Sequence, residues 1–110
     1  MFQIEGKIIN AGYYTDCLPV AVITIDKKFS EAIKAENDKR VSALLKVGED
    51  IYNAGIRTTE KMKYVKICPD LLTINGSPAR LVDALNKIGL KVKDSIKISI
   101  INNTIEISEA

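Results

Sequence analysis

Residues 97–108 read KISIINNTIEIS, a stretch that alternates on both sides of an Asn-Asn pair. With Asn102 and Asn103 as the two central residues of a type I′ turn, Ile100 faces Ile105 and Ile98 faces Ile107, while Ser99 faces Glu106 and Lys97 faces Ser108. All apolar pairs then share one face of the hairpin and all polar pairs the other. A slip of one residue destroys that sorting, so the alternation sets the register as well as the element. A C-terminal β-hairpin with one buried face needs a sheet to join.

The rest of the chain supplies strands for it. Residues 2–9 alternate, with Phe2, Ile4 and Ile8 on one face and Gln3, Glu5 and Lys7 on the other. The run from Pro19 to Ile25 is apolar without alternation and rich in β-branched residues, as in a strand covered on both faces. Asp26 then ends the strand and can cap the next element. From Lys27 to about Asn53, Phe29, Ile33, Val41, Leu44, Leu45, Ile51 and Tyr52 fall on a helical stripe, with Gly48 as a weak point inside and Gly55 as the stop. Such a helix is roughly 40 Å long, against a diameter of about 26 Å for a chain of this size. It must bend or pack its overhang on a second subunit.

Residues 57–68 read as a third strand with one wet, basic face, closed by Pro69. Ser77 is placed to N-cap a short helix with Pro78 at its first position; Leu81, Leu85 and Ile88 form its stripe, and Gly89-Leu90 provides a Schellman end. The expected architecture is α+β: an antiparallel or mixed sheet of about five strands, one long and one short helix against one face, and the C-terminal hairpin.

Composition bounds the function. The chain has 110 residues, 46% apolar and 27% charged, which suits one domain spanning 1–110. No apolar stretch reaches the ~20 residues of a membrane span, and two cysteines, Cys17 and Cys68, fit buried thiols in a reducing cytoplasm better than a disulfide or zinc framework. There is no histidine, which removes the Ser-His-Asp and Cys-His arrangements and the common metal sites. No catalytic set, cofactor or metal site is expected. Net charge is only +2, but the positive excess lies in the C-terminal half.

Within that half Arg57, Lys61, Lys63, Lys66 and Arg80 are the candidate contacts to a nucleic-acid backbone; lysines on an edge strand also serve to prevent aggregation. Tyr13 and Tyr14 can stack on a ring, Arg57 or Arg80 can grip a phosphate, and the Ser77 helix start can cradle an anion. Cys68 beside Lys66 lacks a base to activate it, and Glu5-Gly6-Lys7 with Pro69-Asp70 stands in the wrong order for a metal-dependent nuclease.

The segment from Ser77 onward, with Leu85, Ile88, Gly89, Leu90, Lys91, Asp94, Ile96, Ile98, Ile100, Ile105 and Ile107, resembles the AbrB/MazE-type swapped-hairpin module. Its corner is Lys93-Asp94 where the family has Gly-Asp, and the likeness covers under half of the chain. The resemblance implies an intertwined homodimer that binds DNA through basic strands or loops of its N-terminal part. The reading is therefore a small cytoplasmic binding protein, a nucleic-acid-binding regulator acting as a homo-oligomer. One alternative is a binder of a nucleotide or other anionic small molecule between subunits. Another is a protein-interaction module such as an inhibitor or antitoxin.

Overall fold

Alternation with period two, more than any helical stripe, organises the chain. This computed structural model describes residues 2–110, apart from the Phe2 side chain, so the face read for Phe2 falls outside the described residues. The elements are β1 (Phe2–Tyr13), β2 (Pro19–Asp26), a 3₁₀ turn (Lys27–Phe29), β3 (Val41–Val47), β4 (Asp50–Arg57), β5 (Tyr64–Ile67), β6 (Asp70–Thr73), β7 (Pro78–Arg80), α1 (Leu81–Lys87), β8 (Ser95–Ile101) and β9 (Thr104–Glu109). The strands pair in the order β3-β9-β8-β1-β2-β5-β4, and β4 pairs back onto β3. That return contact closes a seven-stranded barrel, which β6 and β7 extend as a hairpin from β4. All pairings between these strands are antiparallel except β3 with β9.

Closure buries one face of every barrel strand. Directly opposed residues form rings inside it: Ile8 faces Ile23, Ile23 faces Ile67, and Ile67 faces Ile56, all fully buried. Gly6 also points inward, where a Cβ would come within 2.7 Å of Ile98 Cδ1, so the narrow interior is filled from the neighbouring strands. Leu81, Val82, Ala84 and Leu85 of α1 join the same core.

The C-terminal hairpin has the expected register, pair for pair. Asn102 and Asn103 both lie in the left-handed region, at φ 49° and 65°, as a type I′ turn demands. The Schellman end is also present: Leu90 N–H donates to the Leu85 carbonyl and Gly89 N–H to that of Asn86, with Gly89 at φ 80°.

Three expectations are corrected. The long helix over 27–53 does not form; only the 3₁₀ turn does, with Asp26 accepting from Lys28 N–H as its cap. Val41, Ala43, Leu45 and Val47 also satisfy period two, and β3 and β4 form a hairpin about Gly48-Glu49 with Gly48 at φ 65°. Pairing with β9 and β5 on the outer edges outweighs the helical preference of the segment. The sheet consequently has nine strands instead of about five, and the overhang argument for a second subunit loses its element. Second, the strand over 57–68 is confined to Tyr64–Ile67, while Lys61 and Lys63 stand in the preceding loop. Third, the short helix begins after Arg80: Pro78 belongs to β7, and Ser77 N–H donates to Thr73 Oγ1 in the β6–β7 turn.

The likeness to the swapped-hairpin module is overturned as well. Here β8 pairs with β1 and β9 with β3 of the same chain, so the hairpin completes a self-contained barrel. Cys17, expected buried, is exposed; Cys68 is buried. Among the described residues no helix is long and apolar enough to cross a membrane.

Candidate binding sites on the barrel

The expected site residues are dispersed. Tyr14 and Arg80 come together, Arg57 and Lys66 come together elsewhere, and Tyr13, Ser77, Lys61 and Lys63 are exposed apart from both groups. The first meeting depends on an extra residue in β1, whose register on β2 shifts between Asn10 and Tyr13. Such a bulge bends its strand and redirects the residues after it. Tyr14 then turns inward while Tyr13 remains 71% exposed. The guanidinium carbon of Arg80 lies 3.9 Å from the centroid of the Tyr14 ring, and its Nη1 donates to Asp16 Oδ2 at 2.7 Å.

Tyr14 and Arg80 line a cleft of about 520 Å³ together with Asp70, Leu71, Leu72 and Asp83. Burial, and then the Asp70 charge, push the Tyr14 phenol above its ordinary value, with Arg80 opposing. The hydrogen bond from Arg80 holds Asp16 below the usual carboxylate range. The one guanidinium in the wall, paired with Asp16, sits beside the two carboxyl groups of Asp70 and Asp83. An anion entering the cleft would meet that paired guanidinium and both carboxyl groups.

A second cavity, of about 290 Å³, has the opposite character. It arises because β3 pairs with β9 only from Leu44 onward, leaving Val41, Ser42 and Ala43 without a neighbour on that edge. Ala32 and Ile33 lie across the gap, and Ile100 and Ile105 form the inner wall. Small side chains at 32, 42 and 43 leave the space open. At its mouth Lys34 Nζ donates to Asn103 Oδ1 at 2.7 Å. No carboxylate lines this cavity. Lys34 lies at φ 56°, a backbone conformation that costs a lysine about 1 kcal/mol.

The helical stripe read over 27–53 leaves Lys34 off its apolar face with no role, so sequence reasoning misses this residue. Its only signal is the conformation of the loop, which composition does not reveal.

On the outer face of the barrel, the pairing registers set Arg57 opposite Lys66, Lys66 opposite Thr24 and Thr24 opposite Lys7. Among the described residues no group of three or more His, Cys, Asp or Glu is placed to hold a metal ion. The chain is a small barrel-like domain whose cavities and faces suit binding a ligand or a partner. Comparison with protein-family models, curated proteins and solved structures found no match to this chain.

Proposed function

We propose that this protein acts by binding, not by catalysis, and that its ligand is a small anion with an apolar body. The site is the cavity between β3 and the β8–β9 hairpin. The observation that carries this reading is Lys34 at the mouth of an apolar-walled cavity that has no carboxylate in its lining. Apolar walls with one or two placed polar groups are the usual build of a small-molecule site, and about 300 Å³ is the lower end of its size range. The turn that carries Lys34, closed by Lys34 N–H to the Glu31 carbonyl and Ala35 N–H to that of Ser30, holds its backbone left-handed at φ 56° and so fixes where the side chain starts. The anion displaces Asn103 from Lys34 and takes a charge-assisted hydrogen bond in its place.

The test is thermal stabilisation by matched acids and amides: hexanoate against hexanamide, and benzoate against benzamide, each at roughly 10 mM. The acids should raise Tm and the amides should not, and Lys34→Met should abolish the shift while leaving the barrel folded by circular dichroism. Equal shifts with acid and amide, or no shift with either acid, overturn the assignment.

A further inference from the structure

The outer face of the barrel offers a track suited to a polymer of anions instead of a single one. The lateral row Arg57, Lys66, Thr24, Lys7 crosses four adjacent strands, β4, β5, β2 and β1. Neighbouring strands are about 4.8 Å apart, so Arg57 and Lys7 lie about 14 Å apart around the barrel. The row is extended by Arg40. Gly55, two positions before Arg57 on the same outward face, has the Arg40 guanidinium lying where its Cβ would project. Any larger residue at 55 would displace that cation.

None of the four cations makes an ion pair among the described residues, whose salt bridges are Lys39–Glu36, Arg80–Asp16 and Lys87–Asp50. Two carboxylates share this outward face: Glu5, two positions before Lys7 and opposite Lys97 in register, and Asp26, opposite Tyr64 and accepting from Lys28 N–H; neither is ion-paired to a cation of the track. Tyr64 lies two positions before Lys66 on β5, about 7 Å away along the strand, on the same outward face and 39% exposed.

We infer that this face binds single-stranded nucleic acid. Arg40, Arg57, Lys66 and Lys7 contact successive phosphates, and Tyr64 stacks on a base. A cationic track with an aromatic platform beside it is the arrangement that holds single strands without reading sequence, because every base has a π-face and every nucleotide a phosphate. A duplex keeps its bases stacked on each other and gives Tyr64 nothing to stack on, which selects the single strand over the double one. Pure protection against edge pairing needs no cations here, since the strands carrying Lys7, Lys66 and Arg57 have neighbours on both sides.

The experiment is fluorescence anisotropy of a labelled oligo(dT) of about 15 nucleotides with the full chain, from about 50 to 200 mM salt. Four phosphate contacts give a slope of log K against log salt near about −3, at roughly −0.7 per contact on a single strand. Lys66→Glu and Lys7→Glu should each weaken binding and flatten the slope. Tyr64→Ala should cost roughly tenfold and Tyr64→Phe little. Lys87→Glu, which makes the same charge change on α1, should have no comparable effect.

Circular dichroism melts confirm that each outward-facing variant is folded. No binding at the lowest salt overturns the inference. So does equal weakening by Lys87→Glu, which would mark diffuse charge. Tighter binding to a duplex of the same length, insensitive to Tyr64→Ala, overturns it too.

Discussion

Arg80 covers one face of the Tyr14 ring at 3.9 Å although the two residues stand on different arms of the structure, β7 and the turn after β1. The same guanidinium reaches Asp16, so one cation ties the β6–β7 hairpin to the β1–β2 turn. The Tyr14 ring packs against the barrel core, but its hydroxyl is buried without a partner.

The Asp16–Arg80 contact makes stability depend on acidification. Asp16 is held below its ordinary pKa of 3.8 in the folded state, so the folded protein binds that proton less readily than the unfolded chain. Its contribution is fully present above the ordinary value and is lost as pH falls through the lower folded one. The Tm difference between the wild type and Asp16→Asn should therefore be steady between about pH 7 and 5 and close at lower pH. A difference that stays unchanged through strong acid would show that the Asp16 charge contributes nothing.

A buried hydroxyl without a partner is a cost. Tyr14→Phe should stabilise the protein by about 1 kcal/mol, measured by urea unfolding. In alkali the effect grows. The phenol is raised in the folded state, mainly by burial, so the unfolded chain loses that proton first and wild-type stability falls as pH rises past the ordinary value of 10.0. The phenylalanine variant should escape that particular loss.

Gly48 meets two demands at once. Its φ of 65° opens the β3–β4 turn, and a Cβ there would come within 2.8 Å of Ile88 Cγ2, just past α1. Gly48→Ala should cost more than about 1 kcal/mol. In an Ile88→Ala background the clash is gone and only the backbone cost is left, so the double-mutant cycle should show a favourable coupling between the two substitutions. Strict additivity would mean that Ile88 does not constrain the turn.

Lys34→Gly separates stability from binding. Glycine relieves the left-handed strain and should raise stability by up to about 1 kcal/mol, while removing the proposed anion contact. A more stable protein that no longer responds to hexanoate is the expected outcome. A less stable one would show that the Lys34 side chain serves the fold.

Legibility followed range. The hairpin over 97–108 was readable to the residue because its turn chemistry and its alternation lie within twelve neighbouring positions and agree. The end of α1 was readable for the same reason, Gly89 and Leu90 completing a local motif. The segment 27–53 was not. Its apolar residues satisfy a helical stripe as a set, and Val41, Ala43, Leu45 and Val47 satisfy a strand, so local pattern supports both readings. The binding surfaces were the least legible: Arg57 and Lys66 were singled out by charge, but Arg40, Lys7, Tyr64 and Lys34 reach their places through pairings and loops that no short window contains.

Sequence alone determined the terminal strand, the central apolar strand, the C-terminal register and the glycine stop of the helix, because those depend on backbone preferences and periodicities within a few residues. Tertiary structure decided that β3 and β4 are strands, that β9 runs parallel to β3, and that Arg57, Lys66 and Lys7 fall in one lateral row across the barrel wall with Arg40 beside it. The physical reason is edge pairing. A strand edge carries unsatisfied N–H and C=O groups along its whole length, and only the closed barrel supplies partners for β3 on one side and β9 on the other.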